Sequence, residues 1–222
     1  MIPTFEPELA ALIARLENAS SKQFAEVEAY FGERARAGEL DWRRLDERSH
    51  AFLADKMIAL EPDKSRFCYL TCRALQAKRV VEIGTSFGVS TLYLAAAVRD
   101  TGGGIVIGTE YEPAKAAAAR RHFAEAKLDG YIELREGDLR ETLEHLEGPI
   151  DFVLMDIWSE LARPAIELVA PHVRRGGVVI CDNTGQFART YADYFAYVND
   201  PANRFMTQTL PFEGGLEFSV RV

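Results

Sequence analysis

The feature that most constrains the fold is an alternation of short apolar runs with helical segments from residue 79 onward. Apolar runs of four to eight residues are typical of buried strands, and strands joined through helices pair in parallel by right-handed crossovers. Both faces of such a sheet are covered by helices. The predicted strands are residues 79–83, 104–109, 131–136, 150–155 and 178–181, and the predicted helices between them are residues 90–98, 113–126, 139–145 and 160–170. The pattern predicts a doubly wound, Rossmann-like α/β domain.

The two ends of the chain depart from this alternation. Residues 8 to about 75 carry helical periodicity without a strand pattern, including the stretches 23–36 and 45–59. We therefore predict that residues 1–75 form a helical extension that acts as a lid or dimer contact. After a helix near residues 190–197, the segments 204–210 and 216–222 are extended in pattern and predict a closing antiparallel hairpin. We predict that residues 76–222 form a Rossmann-like core with a sheet of seven mainly parallel strands. The extension and the core together form a single domain.

Composition excludes several classes of protein. The 222 residues, 48% of them hydrophobic, suit one domain with a sizeable core, and the net charge of −8 argues against nucleic-acid binding through a broad basic surface. No run reaches the roughly 18 apolar residues of a membrane span, and the start of the chain lacks the basic residues of a signal peptide. We expect a cytoplasmic protein with no membrane or nucleic-acid partner.

The turn after the first predicted strand carries the first functional signal. Residues 82–90 read EIGTSFGVS, and the two glycines let the backbone turn sharply and approach a ligand closely. Glu82 would repel a pyrophosphate, whereas it would attract an ammonium or sulfonium group by about 4 kcal/mol at 4 Å near a protein surface. This favours S-adenosylmethionine over a dinucleotide, whose G-x-G-x-x-G loop is absent.

Acids stand at or just after the ends of all five predicted strands of the alternating region, on the edge of a doubly wound sheet where ligands bind. Glu110 can accept from both ribose hydroxyls of an adenosine, or it can favour the dipole of the helix that begins at Pro113. Asp138 can accept from the adenine amino group, cap the following helix, or do both. The acids are Glu82, Glu110, Asp138, Asp156 and Asp182.

Asp156, Asp182 and Asn183 offer only oxygen ligands on neighbouring strand ends. Such ligands suit Mg²⁺ or another divalent cation, which can bind a hydroxyl and lower its pKa. The alternative for Asp182 and Asn183 is an Asx turn after a strand.

Four motifs in order resemble the cation-dependent O-methyltransferases, including the catechol and caffeoyl-CoA O-methyltransferases. They are EIGTSFGVS at 82–90, GTE at 108–110, DFVLMD at 151–156 and GGVVICDN at 176–183. The segment LPFEGGL at 210–216 resembles the last hairpin of that family, although the family's usual Asp-Gly pair is Gly-Gly here. The resemblance covers residues 57–222 and implies S-adenosylmethionine as methyl donor, a divalent cation, a small hydroxylated acceptor, for example an aromatic one, and a homodimer.

The resemblance also assigns roles to matching residues. It implies that the methionine part of the donor lies at Glu82, Gly84 and Ser90, its ribose at Glu110, and its adenine near Asp138 and Leu139. Leu60 lies in a stretch that covers the donor in the family. Asp156, Asp182 and Asn183 match the metal ligands, and Asp156 is shared with the donor site.

One position departs from the family's pattern. The family usually has a lysine three residues after the first metal-binding aspartate, where it takes the proton of the acceptor hydroxyl, and Ser159 stands there instead. A serine hydroxyl is not a base at neutral pH. Glu160 or His145 are the candidates to replace it, unless an acceptor held by the metal is acidic enough to need no base. The alternative function is a donor-binding protein without metal-dependent transfer.

Trp158, next to Ser159, matches a tryptophan of the catechol enzymes. It can form a wall for the ring of an acceptor, or it can serve only in packing.

Overall fold

The computed structural model describes residues 5–222, so the first four residues of the predicted extension lie outside the described part. Helices and strands alternate from residue 79 as the pattern predicts. The helices are α1 Pro7–Arg36, α2 Glu47–Leu53, α3 Pro62–Ala74, α4 Val89–Asp100, α5 Pro113–Glu125, α6 Leu139–Thr142, α7 Ser159–Val169 and α8 Ala192–Val198. The strands are β1 Arg79–Ile83, β2 Ile105–Glu110, β3 Ile132–Glu136, β4 Ile150–Met155, β5 Val173–Asp182, β6 Phe205–Leu210 and β7 Leu216–Arg221.

The strands form one sheet in the order β3-β2-β1-β4-β5-β7-β6. The first five are parallel, while β7 is antiparallel to both β5 and β6. The predicted seven-stranded, mainly parallel sheet with a C-terminal hairpin is therefore confirmed. Because Ile83 pairs with Met155 and Met155 with Cys181, β1, β4 and β5 end at one edge. The residues that follow these strand ends are brought together there.

The core consists of two apolar layers, one on each face of the sheet. Adjacent strand residues point to opposite faces. Val80, Phe152 and Ile180 therefore join the layer beneath α1, α3 and α4, and Val81, Val153 and Val179 join the layer beneath α6, α7 and α8. These six side chains are fully buried, which explains why the strands read as apolar runs.

The N-terminal extension is less helical than its sequence predicts. Helix α1 packs its Leu9, Leu12, Ile13 and Leu16 face on the core, but residues 37–46 and 54–61 are not helical. The helix predicted at 45–59 is correct only for Glu47–Leu53. Its N-terminus is set by Asp46, whose carboxylate accepts from the backbone N–H of Ser49 at 2.8 Å. Local capping, rather than average helix propensity, decides these boundaries.

Strand β5 is longer than its apolar run. It begins at Val173 and includes two charged arginines and two glycines, the latter uncommon in strands, before the run at 178–181. Pairing of Val173 with Ile150, across an irregularity in the register, extends the strand.

Within residues 5–222, no helix is long and apolar enough to cross a membrane. The homodimer, the cytoplasmic location and the absence of nucleic-acid partners stay predictions.

Candidate functional site

Glu82 fastens the loop that follows β1. Its carboxylate is fully buried and accepts hydrogen bonds from the hydroxyls of Thr85 at 2.9 Å and Ser90 at 2.7 Å, and from that of Thr91. Burial raises the pKa of Glu82, while the three hydroxyl donors oppose this change. The acid therefore lies behind the loop and sets its shape, rather than facing an open ligand site.

Gly84 allows β1 and β4 to end in close contact. Its φ is +97°, and a Cβ at this position would overlap the carbonyl oxygen of Asp156. The backbone N–H of Asp156 donates to the Ile83 carbonyl at 3.0 Å. The glycine that the sequence assigns to a close ligand approach thus also has a structural reason, because it brings Asp156 against the loop.

Glu110 ends β2 beside the same loop and is 9% exposed. One carboxylate oxygen accepts from the backbone N–H of Ser86 at 2.6 Å, and the other from that of Glu112 at 2.7 Å. Each oxygen keeps a second acceptor position. The side chain is thus fixed by backbone donors of the loop and of the residue before α5.

Asp138 caps α6. Its carboxylate accepts from the backbone N–H of Arg140 at 2.8 Å and pairs with the Arg140 guanidinium at 2.9 Å. The capping interpretation is confirmed, and the adenine role stays a prediction. Leu139 is buried in the second core layer.

Residues 57–60, which we call the donor strap, cover the glycine loop. A small cleft is lined by the strap, by Asp156, and by loop residues including Gly84 and Ser90. The strap is held by α1, because the backbone N–H of Met57 donates to Gln23 at 2.9 Å and that of Ala59 to Ser20 at 3.0 Å. Leu60 is 3% exposed and lies where the resemblance places the cover of the donor.

Asp156 and Asp182 belong to one acid cluster at the ends of β4 and β5. Burial raises the pKa of Asp156 well above its usual value, and the charge of Asp182 adds to this effect. Burial likewise raises the pKa of Asp182, to about 6, against the opposing charge of Lys64. In the described part of the chain no three His, Cys, Asp or Glu side chains are arranged to hold a metal, so the predicted set depends on Asn183.

Asn183 has a φ of +61° and follows Asp182 directly. Its amide nitrogen donates to Asp182 Oδ2 at 3.1 Å. Its Oδ1 faces the C-terminal hairpin, since a Cβ on Gly214 would lie 2.7 Å from it. The hairpin and the strand end therefore position Asn183 together.

Lys64 is the cation of the acid cluster. Its side chain is fully buried, with Nζ at 2.6 Å from Asp182 Oδ1 and 2.8 Å from Glu61 Oε2. Burial lowers the pKa of Lys64, but the charges of Asp182 and Glu61 outweigh burial and the pKa is raised. The group is an ammonium at neutral pH and cannot serve as a base in this position.

Trp158 lies in an aromatic cluster that joins the core to the N-terminal extension. Its ring centroid is 6.0 Å from that of Phe31 on α1. Phe31 is 5.9 Å from Trp42, and Trp42 is 5.3 Å from Phe187, which follows β5. We call Phe31, Trp42, Trp158 and Phe187 the aromatic wall.

The structure does not bring the candidate bases into the cleft. Ser159 begins α7. Glu160 is exposed and accepts from the backbone N–H of Leu45 at 3.2 Å, which ties the extension to the core. His145 is also exposed, and neither it nor Glu160 lines the cleft.

Sequence reasoning assigned no role to Lys64, Glu61 or the partners of Trp158. A lysine near a helix start and aromatic residues on an amphipathic helix are common, so no local signal marks them. Only the fold places Lys64 against Asp182, which is 118 positions later in the chain.

Comparison with known proteins adds to this geometry. Residues 81–184 match a family model described as a methyltransferase domain. A catechol O-methyltransferase of Niastella koreensis is 31% identical over 142 residues, and one of Mycobacterium tuberculosis is 35% identical over 127 residues. The matches cover 57% of this chain in both cases, and 63% and 57% of the two relatives. The chain thus matches less than two thirds of the length of each relative.

Solved structures share the fold. A crystal structure of an O-methyltransferase from Bacillus cereus, in complex with SAH, superposes with a TM-score of 0.69 at 22% identity. The match covers 79% of this chain and 88% of that protein.

Proposed function

We propose that the chain is an S-adenosylmethionine-dependent O-methyltransferase, which transfers the methyl group of S-adenosylmethionine to a hydroxyl of a small aromatic acceptor. The observation that carries the proposal is the cleft at the carboxyl ends of β1 and β4. The glycine loop, the donor strap and Asp156 line this cleft together. A ligand lies in this position in doubly wound sheets.

The donor half of the site explains how S-adenosylmethionine would be held. The loop at 84–90 takes the methionine part, Glu110 accepts from the ribose hydroxyls, and Asp138 with Leu139 lies near the adenine. Glu110 is suited to this role because two backbone donors already fix both of its oxygens. An acceptor that is fixed before binding loses little side-chain entropy when the ligand arrives.

The residues at the ends of β4 and β5 fit a divalent cation. Asp182 Oδ1 is buried and faces the Lys64 ammonium at 2.6 Å. An oxygen in this state is a suitable ligand for Mg²⁺, and Asp156 and Asn183 would complete the set. The cation would supply a binding position for the acceptor oxygen and a lower pKa for its hydroxyl.

The aromatic wall supports an aromatic acceptor. Trp158 follows Asp156 by two positions, and Phe187 follows Asn183 by four, so both rings are close in sequence to the predicted metal ligands. The two relatives named for catechol support the same class of acceptor. Ring packing against such a wall contributes about 0.5–1.5 kcal/mol per aromatic pair beyond area burial.

The transfer is a displacement at the sulfonium. A lone pair of the acceptor oxygen forms the new O–CH₃ bond as the S–CH₃ bond breaks, and the sulfur leaves as the neutral thioether of S-adenosylhomocysteine. Ser159 takes no proton at neutral pH, and neither Glu160 nor His145 lines the cleft. We therefore propose that the acceptor proton passes to solvent before the methyl group moves.

Methyl transfer from labelled S-adenosylmethionine to a panel of catechols and simple phenols tests the proposal. We expect turnover with at least one catechol, loss of turnover when divalent cations are chelated, and at least a 100-fold decrease in Asp156→Ala. Asp193→Ala, which removes an exposed acid on α8, is the matched control and should be unchanged. Donor binding by calorimetry without transfer to any acceptor would instead indicate a binding protein, and failure to bind the donor would overturn both functions.

A further inference from the structure

Lys64 and a divalent cation would need the same oxygen atom. The ammonium lies 2.6 Å from Asp182 Oδ1. The other oxygen, Oδ2, already accepts from the Asn183 amide, so Oδ1 is the oxygen left to bind a metal. The ammonium nitrogen and Oδ1 are both buried, and they form an ion pair. Two cations cannot contact one buried oxygen from the same side, because their charges repel at that distance.

A second acid gives Lys64 another position. Glu61 Oε2 lies 2.8 Å from Nζ, and the Glu61 side chain is 42% exposed whereas that of Lys64 is fully buried. Glu61 is therefore at the rim of the cluster and Asp182 is in its interior. Rotation of the lysine side chain toward Glu61 would release Asp182 without leaving the ammonium unpaired, which matters because an unpaired buried charge is strongly destabilising.

The geometry points to Lys64 as an internal competitor for the divalent cation, which occupies Asp182 when the metal is absent and moves toward Glu61 when the metal binds. This inference rests on the metal site of the proposed function. It adds a positioning residue that sets how tightly the metal is held. The lysine also keeps the acid cluster from carrying uncompensated negative charge in the metal-free protein.

Titration of the metal-free protein with Mn²⁺ tests the inference without a methyl-transfer assay. Free Mn²⁺ is followed by electron paramagnetic resonance in wild type, Lys64→Met and Lys22→Met. Lys64→Met keeps an unbranched apolar side chain but removes the charge, and it should bind Mn²⁺ at least tenfold more tightly than wild type. Lys22→Met removes an exposed charge on α1 and should match wild type. Equal or weaker Mn²⁺ binding in folded Lys64→Met overturns the inference, as does the absence of Mn²⁺ binding in both proteins.

A second measurement uses the wild-type chain, so that it does not depend on folding of the variant. Lysines are modified with a small amine-reactive reagent, with and without saturating Mg²⁺, and Lys64 is quantified by peptide mass spectrometry. We expect Lys64 to be protected without the metal and modified several-fold faster with it, while Lys22 is unaffected. Protection that persists at a concentration where Mg²⁺ is bound contradicts displacement. Tighter Mn²⁺ binding in Lys64→Met together with no methyl transfer would support this inference while overturning the proposed function.

Discussion

The two halves of the candidate site are built in different ways. In the donor half, Glu82 is bonded to hydroxyls at positions 85, 90 and 91, so one short segment shapes its own loop. In the acceptor half, the contacts join distant parts of the chain. Lys64 meets Asp182, Trp42 meets Phe187, and Leu45 donates to Glu160.

Because of this difference, the residues of one half can be substituted without changing the other half. The donor half depends on few positions, and most of them are set by the Rossmann-like core. The acceptor half depends on side chains from the N-terminal extension that can change without altering the core. We therefore expect donor binding and acceptor selection to respond to different substitutions.

The largest effect is expected for Gly84→Ala. A Cβ there would overlap the Asp156 carbonyl, in addition to the strain of a φ of +97°. Gly103 has the same φ of +97° with nothing near its Cβ position, so Gly103→Ala measures the strain alone. We expect Gly103→Ala to lower the free energy of unfolding by about 1–3 kcal/mol. Gly84→Ala should lower it by at least about 2 kcal/mol more, since the overlap adds overpacking. If urea unfolding showed equal losses of stability in the two variants, the close contact between the ends of β1 and β4 would not be the reason that position 84 needs glycine.

The second largest effect is expected for Glu110→Gln, which should weaken donor binding. Loss of a hydrogen bond to a charged group amounts to about 1.5–3 kcal/mol, or roughly 10- to 150-fold in the dissociation constant for S-adenosylmethionine. Glu136→Gln is the control, because Glu136 pairs with Glu110 in the register of β2 and β3 but is exposed. Isothermal titration of both variants checks this. If both variants lost donor affinity to a similar extent, the cause would be the negative charge at this edge of the sheet rather than the contact of Glu110 with the ribose.

Phe31→Ala tests the acceptor half. Removing one ring of the aromatic wall should raise KM for an aromatic acceptor about 3- to 10-fold, as expected for an aromatic contact of about 0.5–1.5 kcal/mol. Donor affinity should stay within twofold. Phe24→Ala changes the same residue type on the same helix, where the side chain is 60% exposed, and should leave KM unchanged. An increase in KM in both variants would mean that α1 acts through its stability alone.

Gln23→Ala should have the smallest effect. It removes the bond from the strap N–H of Met57, which contributes about 0.5–1.5 kcal/mol, and only part of this stabilisation reaches the donor. We expect the dissociation constant of the donor to rise about threefold. Lys22→Ala, at the neighbouring exposed position, should not change it. No change in Gln23→Ala would mean that this bond does not hold the strap, and would leave the bond from Ala59 to Ser20 as the contact with α1.

The donor half could be predicted from sequence because its signals are local. The apolar run, the glycine loop and the acid at each strand end lie close together in the chain, and a parallel sheet brings those ends to one edge. The cap at Asp138 was predicted for the same reason. Sequence did not show that Glu82 accepts from three hydroxyls, because Thr85, Ser90 and Thr91 are also ordinary residues of a turn and a helix start.

The acceptor half was predicted only in part. Asp156, Asp182 and Trp158 stand at strand ends or beside them, but their partners come from the extension. The sequence predicts more helix in the extension than the structure has. Residues 45–59 have good average helix propensity, but Asp46 caps α2 and so fixes where the helix begins. Contacts between residues more than a hundred positions apart leave no local pattern, so Lys64 and Phe31 required the structure.

Calorimetric titration of S-adenosylmethionine into wild type, Glu110→Gln and Trp158→Ala, with acceptor KM measured on the same samples, tests the separation of the two halves most directly. Our account predicts that Glu110→Gln loses donor affinity at least tenfold, whereas Trp158→Ala keeps it within twofold and shows a raised acceptor KM. Loss of donor affinity in both variants alike, or no donor binding by the wild-type protein, would contradict it.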